Sequence, residues 1–123
     1  MYDLTPLTDE LKENGFQIHL ETSGTHPIRG NFDWITLSPK KFKPCLEESY
    51  TKADELKVVV VNRHDLVWAK EQASQVRPQT LLYLQPEWSK KEKVFEMMQE
   101  HINSPEGEGW LISEQVHKYL GIR

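Results

Sequence analysis

Four consecutive valines, Val58-Val59-Val60-Val61, following Leu56-Lys57 constrain this chain more than any other feature of its sequence. β-Branched side chains are stiff at χ1 and suit the pleated surface of a strand, and a run this apolar suits a strand buried on both faces of a parallel sheet. Residues 56–61 are therefore predicted as a central strand. The segments after it follow the same grammar. Residues 65–76 place Leu66, Ala69, Ala73 and Val76 along one side of a helix that Pro78 ends. Leu81-Leu82-Tyr83-Leu84 reads as a second buried strand, and Ser89 can cap a helix carrying Val94, Phe95, Met98 and Ile102. Trp110-Leu111-Ile112 reads as a last short strand before a helical turn over residues 115–120.

The first half of the chain is more polar but alternates in the same way. Thr5 followed by Pro6 predicts an N-cap with proline at the first helical position, Leu7 and Leu11 share a face, and Asn14-Gly15 closes the element. Residues 16–20 alternate apolar and polar side chains as a strand does, and Trp34-Ile35-Thr36-Leu37 is a further short strand. Residues 41–52 are expected to be loop with one helical turn before Ala53. Strand and helix in this order predict an α/β fold with right-handed βα units and a mostly parallel sheet of about four to five strands. Nothing in the sequence marks a linker, so residues 1–123 are expected to form one domain.

That topology says where function belongs. In parallel sheets, ligands bind at the carboxyl ends of the strands, where loops and helix N-termini converge. Here those ends are residues 21–25, 38–40, 62–64, 85–88 and 113–117, all polar or charged. Lys40 can pair with a carboxylate, Gln85 can make paired hydrogen bonds to an amide edge, and Trp88 offers a stacking surface. Each also has a plainer reading: Lys40 as part of a solvated basic loop with Lys41 and Lys43, His117 as an exposed histidine, the tryptophans as core, and Glu21 as a carboxylate binding backbone amides of the next turn.

Composition removes several function classes. A net charge of -4 supplies no basic field for a phosphate backbone, so no nucleic-acid partner is expected. No apolar run approaches the roughly 20 residues of a membrane helix, and Met1-Tyr2-Asp3-Leu4 lacks the pattern of a signal peptide, so a cytoplasmic protein without a membrane partner is expected. The one cysteine, Cys45, cannot alone hold zinc or an iron-sulfur cluster and is expected as a partly buried or loop thiol. No Gly-rich phosphate loop, histidine pair at metal-ligand spacing or nucleophile elbow is present, so no catalytic residue and no metal ligand is assigned from spacing.

Several blocks, in order, carry a resemblance. Glu21-Thr22-Ser23-Gly24-Thr25, Asp33-Trp34-Ile35-Thr36-Leu37-Ser38-Pro39-Lys40, Ala53-Asp54-Glu55-Leu56-Lys57, Leu84-Gln85-Pro86 and His117-Lys118-Tyr119-Leu120-Gly121-Ile122-Arg123 resemble the C-terminal half of the 7-carboxy-7-deazaguanine synthases. The resemblance implies half of a (β/α) barrel of the radical S-adenosylmethionine type. It implies a lyase that converts 6-carboxy-5,6,7,8-tetrahydropterin to 7-carboxy-7-deazaguanine for queuosine and related 7-deazapurines. The full-length family enzyme uses S-adenosylmethionine, a 4Fe-4S cluster and Mg2+, and its relatives suggest a homodimer. By the same resemblance, Ser38, Pro39, Lys40, Gln85, Pro86, Glu87 and Trp88 match contacts to S-adenosylmethionine, with Glu21 and Ser23 near it. His117 and the terminal carboxylate on Arg123 match contacts to the carboxylated tetrahydropterin.

The departures are as informative. The family's cluster-binding cysteines and its Gly-Gly-Glu-Pro strand end have no counterpart, and residues 111–116 differ from the usual Arg-Leu-Ser-x-Gln-Thr pattern. The chain by itself is therefore expected to be catalytically incomplete. Two other readings stand beside this one: a fragment of another radical-activating enzyme, such as a glycyl-radical activase, and a non-catalytic module that binds a small ligand.

Overall fold

The computed structural model of the chain describes residues 3–87 and 91–113. Five strands form one sheet in the order of the sequence: β1 (His19–Thr22), β2 (Trp34–Leu37), β3 (Glu55–Val60), β4 (Leu81–Pro86) and β5 (Trp110–Ile112). Every neighbouring pair is parallel. Helices α1 (Thr5–Glu13), α2 (Glu47–Lys52), α3 (Arg63–Ala73) and α4 (Lys91–Ile102) precede or connect the strands, and a short 3-10 turn, Pro105–Gly107, leads into β5. A sheet whose strands follow chain order without reversal is wound in one direction, as in a (β/α) barrel, and not doubly wound.

One-directional winding puts the connecting helices on one face. The core confirms it: Leu37, Leu56, Val58, Val60 and Leu84 are fully or almost fully buried in a cluster with Leu66 and Ala69 of α3, Val94 and Met98 of α4, and Trp110. The valine run corrects an expectation. Only Val58 and Val60 are buried, while Val59 and Val61 are half-buried, because the second face of the sheet carries no helix among the described residues. Expecting burial on both faces assumed two covering layers, and the winding supplies one.

Several boundaries also shift: β3 spans Glu55–Val60, α3 ends at Ala73 and β4 runs on to Pro86. Strand β1 begins at His19 and not at Phe16, since the Phe16 amide turns back to the Leu11 carbonyl (3.0 Å) and leaves the Phe16 side chain 59% exposed. The N-cap of helix α1 is Leu4 and not Thr5, so Thr5 is the first helical residue and Pro6 the second, with the Asp3 carboxylate accepting the Thr5 amide at 2.9 Å. Helix α3 begins at Arg63, two residues early, because Asn62 and Asp65 form a capping box in which each side chain accepts the other's backbone amide. The expected turn over residues 115–120 and the Ser89 cap lie outside the described residues.

Candidate functional site

Parallel pairing brings all five carboxyl ends to one edge of the sheet. The Ser38 amide donates to the Thr22 carbonyl (2.8 Å), and the Ser113 amide to the Leu84 carbonyl (2.8 Å), so the strand-end loops start in register. Behind the first of them, the Cys45 thiol donates to the Ser23 carbonyl at 3.2 Å, and Leu46 N and Ser49 Oγ donate to the Gly24 carbonyl. Burial pushes the Cys45 thiol above its ordinary value, and Tyr50 beside it is pushed up to about 12, first by burial and then by Cys45. This is the chemistry of an inert structural thiol.

The uncovered face is polar. Register partners share a face, so β1 to β4 present His19 and Glu21, Trp34 and Thr36, Glu55 and Lys57, and Tyr83 and Gln85 together on the side away from the helices. They pair with one another: His19 Nε2 with Thr36 Oγ1 (2.7 Å), Trp34 Nε1 to Glu55 Oε1 (3.2 Å), and Lys57 Nζ with Glu21 Oε1 (2.8 Å). Lys57 spans β2 to make that bridge and is only 14% exposed in its side chain. Glu21 is thus held by a lysine on β3 and not, as its plainer reading had it, by amides of the next turn. Lys57 was not singled out from the sequence, where a lysine between leucine and valine reads as an ordinary strand residue; its two-residue phase with Glu55 was the available signal.

Gln85 differs from its neighbours. It is 7% exposed, and its Oε1 is buried without a hydrogen-bond partner, since its register partner on β3 is Val59. Leaving a buried carbonyl oxygen unpaired costs about 1–3 kcal/mol. The other buried orphan among the described residues, Arg77 Nε, belongs to a side chain already bound to Ala53 O and Asp54 at the opposite end of the strands. An orphan at the rim has no such structural occupation.

Of the remaining residues expected at the site, Ser38 and Pro39 are buried at the end of β2 and Lys40 is exposed just beyond them. Pro86 is buried and Glu87 half-buried at the end of β4. Ser23 lies in the turn after β1, its hydroxyl 3.4 Å from that of Thr25. Trp88, His117 and Arg123 fall outside the described residues. The three lysines of the loop after β2 are not equivalent. Lys41 pairs with Asp65 and lies 5.8 Å from the centre of the Trp68 ring, whereas Lys40 and Lys43 make no ion pair among the described residues. Asp65 is 4% exposed and also accepts the Val61 (2.7 Å) and Asn62 (3.2 Å) amides. Burial alone would raise its pKa; the Lys41 ammonium and these two amides outweigh it and hold the carboxyl below its ordinary value. Among the described residues, no three His, Cys, Asp or Glu side chains converge as metal ligands would.

Several curated proteins have related sequences. The enzyme from Flavobacterium psychrophilum is 46% identical over 122 residues, and that from Synechocystis sp. is 45% identical over 126 residues. They cover 98% and 100% of this chain, and both are named 7-carboxy-7-deazaguanine synthase. The chain is a relative of the 7-carboxy-7-deazaguanine synthases. It spans 57% and 58% of the length of those two synthases and corresponds to their C-terminal part. The crystal structure of QueE from Escherichia coli superposes with a TM-score of 0.78 at 30% identity, covering 93% of this chain and 51% of that one. The five-stranded parallel sheet with flanking helices is therefore the synthase's own α/β architecture, in part. No protein-family model matches the chain. No helix among the described residues is long and apolar enough to cross a membrane.

Proposed function

We propose that this chain carries the ligand-holding side of a radical S-adenosylmethionine lyase acting in the cytoplasm on 6-carboxy-5,6,7,8-tetrahydropterin to give 7-carboxy-7-deazaguanine. In this reading Ser38, Pro39, Lys40, Gln85, Pro86, Glu87 and Trp88 hold S-adenosylmethionine, with Glu21 and Ser23 close by. His117 and the terminal carboxylate of Arg123 face the pterin. The observation that carries the reading is the buried, unpaired Gln85 oxygen at the rim, an acceptor that a bound amino or ammonium group would satisfy. Lys40, exposed and without an ion pair among the described residues, offers a cation to a ligand carboxylate.

Bound S-adenosylmethionine supplies a 5'-deoxyadenosyl radical on one-electron reduction. The cluster that delivers the electron does not fit this chain: it needs three thiolates, and the sequence has one cysteine, whose thiol is bonded to the Ser23 carbonyl behind the rim. No step through the cluster or Mg2+ is assigned to these residues. Their part is to bind, orient and hold charge, with the Glu21–Lys57 bridge fixing one carboxylate on the polar face.

Titration calorimetry of S-adenosylmethionine into the 123-residue chain and into Gln85→Leu tests the reading. Loss of a buried acceptor of a charged or polar donor is expected to weaken binding about tenfold or more. Equal affinity in the variant, or no binding by the wild type, would count against it. The same reading includes a homodimer, supported by the edge position of β1 and by the exposed apolar side chains of Leu7 and Phe16, 52% and 59% exposed. Light scattering at micromolar concentration should give twice the 14.5 kDa chain mass, and a monomer would remove that part.

A further inference from the structure

Ser38 and Pro39 are buried, but the loop that follows them, residues 40–44, is exposed and lightly held by packing. It turns back through a Lys43 amide to Lys40 carbonyl bond (3.3 Å), and at its tip Phe42 adopts a left-handed backbone (φ 65°) with a fully exposed side chain. Behind it lies a cavity of about 190 Å³ bounded by Pro39, Lys43, Cys45, Tyr50 and Trp68, so no side chain fills the space between the loop and α3. A tight turn with an exposed apolar tip and an empty space beneath it does not keep one position by burial.

Lys41 links the loop to α3. Its ammonium meets Asp65 on one side and the face of Trp68 on the other, a cation between an anion and a ring quadrupole. Asp65 is itself fixed, since its carboxylate takes the Val61 and Asn62 amides at the end of β3 and its own amide donates to the Asn62 side chain. The side chain of Asp65 is 6% exposed against 37% for Lys41, so the anion end of the bridge is rigid and the lysine end follows it. The bridge therefore joins the carboxyl end of β2 to the carboxyl end of β3, two of the rim's five positions.

We infer that Lys41 is a positioning residue for the rim: held by Asp65 and Trp68, it sets the place of Lys40 and the exposed loop beyond the buried Ser38-Pro39 pair without touching the ligand itself. This rests on the proposed S-adenosylmethionine site. It assigns opposite tasks to adjacent lysines, Lys40 for the ligand and Lys41 for the scaffold, which the basic character of the loop alone does not distinguish. A loop released from Asp65 would occupy its binding-competent place for only a fraction of the time, and the apparent dissociation constant would rise by the inverse of that fraction.

Two measurements on Lys41→Met and Lys41→Arg test the inference. Hydrogen exchange of the uncomplexed protein should quicken in Lys41→Met at the Lys43 amide and at Val61 and Asn62, with Lys41→Arg near the wild type. Calorimetry should show S-adenosylmethionine binding about tenfold weaker in Lys41→Met, restored by Lys41→Arg, and no weaker again when Asp65→Asn is added to Lys41→Met. Unchanged exchange, or an affinity loss that Lys41→Arg does not restore, would overturn the positioning role. If the wild type bound no S-adenosylmethionine, the proposed site would fail and with it the ligand part of this inference, while the exchange comparison would still decide whether Lys41 holds the loop.

Discussion

Gly24→Ala is expected to destabilise the protein by about 3 kcal/mol, the sum of a left-handed backbone that alanine resists and a methyl group with no room. Gly24 has φ +79°, and a Cβ there would lie 2.7 Å from Leu37 Cδ1 and 2.9 Å from Cys45 Sγ. Leu37 is fully buried, and the Cys45 thiol is bonded to Ser23, so neither can yield freely. The Gly24 carbonyl also takes Leu46 N and Ser49 Oγ, which ties any shift to α2. Gly15→Ala is the control. Gly15 has nearly the same φ, +83°, but nothing within 4 Å of its Cβ position, so only the conformational cost of about 1 kcal/mol applies. Urea unfolding midpoints measure both. Equal losses in the two variants would show that the space around Gly24 relaxes, and the packing argument would fall. Because Leu37 immediately precedes Ser38, the Gly24 variant should also bind S-adenosylmethionine more weakly.

Leu84→Ala is expected to cost about 3–4 kcal/mol, the usual range for emptying a leucine site that cannot collapse. Leu84 is fully buried on an interior strand of the sheet, with Val58 and Ile112 as its register partners and α4 packed over its face. Two strands and a helix define the hole, which limits closure. Against a total stability of roughly 5–15 kcal/mol for a domain of this size, that loss should move the thermal midpoint by many degrees. Leu111, beside Ile112 on the edge strand β5 and 51% exposed, should lose less than about 1 kcal/mol on the same change. Comparable losses at the two positions would contradict the assignment of β4 to the interior of the sheet and β5 to its edge. Gln85, the next residue along β4, points to the opposite face, so Leu84→Ala tests the core and Gln85→Leu the rim within one strand.

Much of this was legible in residue order. The valine run, the short strand of residues 34–37 and the helix with Leu66 and Ala69 are local patterns, and local sterics and periodicity suffice to read them. The rim was legible for a similar reason: once the strands are parallel, their carboxyl ends must share an edge, and the blocks at residues 21–25, 38–40 and 84–86 sit at those ends. The start of β1 was misplaced because residues 16–18 alternate like a strand yet fold back onto the end of α1, a contact between segments that periodicity does not report.

By itself, then, the sequence determined the element types, the parallel sheet and the edge on which polar groups gather, since these follow from spacing, side-chain shape and handedness. Only the tertiary structure decided that one face of the sheet is left to polar pairs, that Lys57 reaches across β2 to Glu21, that the Gln85 oxygen is buried without a partner, and that Lys41 is spent on Asp65 while Lys40 stays free of ion pairs among the described residues. Each of these depends on which residues from distant segments arrive within a few ångströms of one another, and that is set by how the strands stack and the helices cover them, which no local pattern encodes.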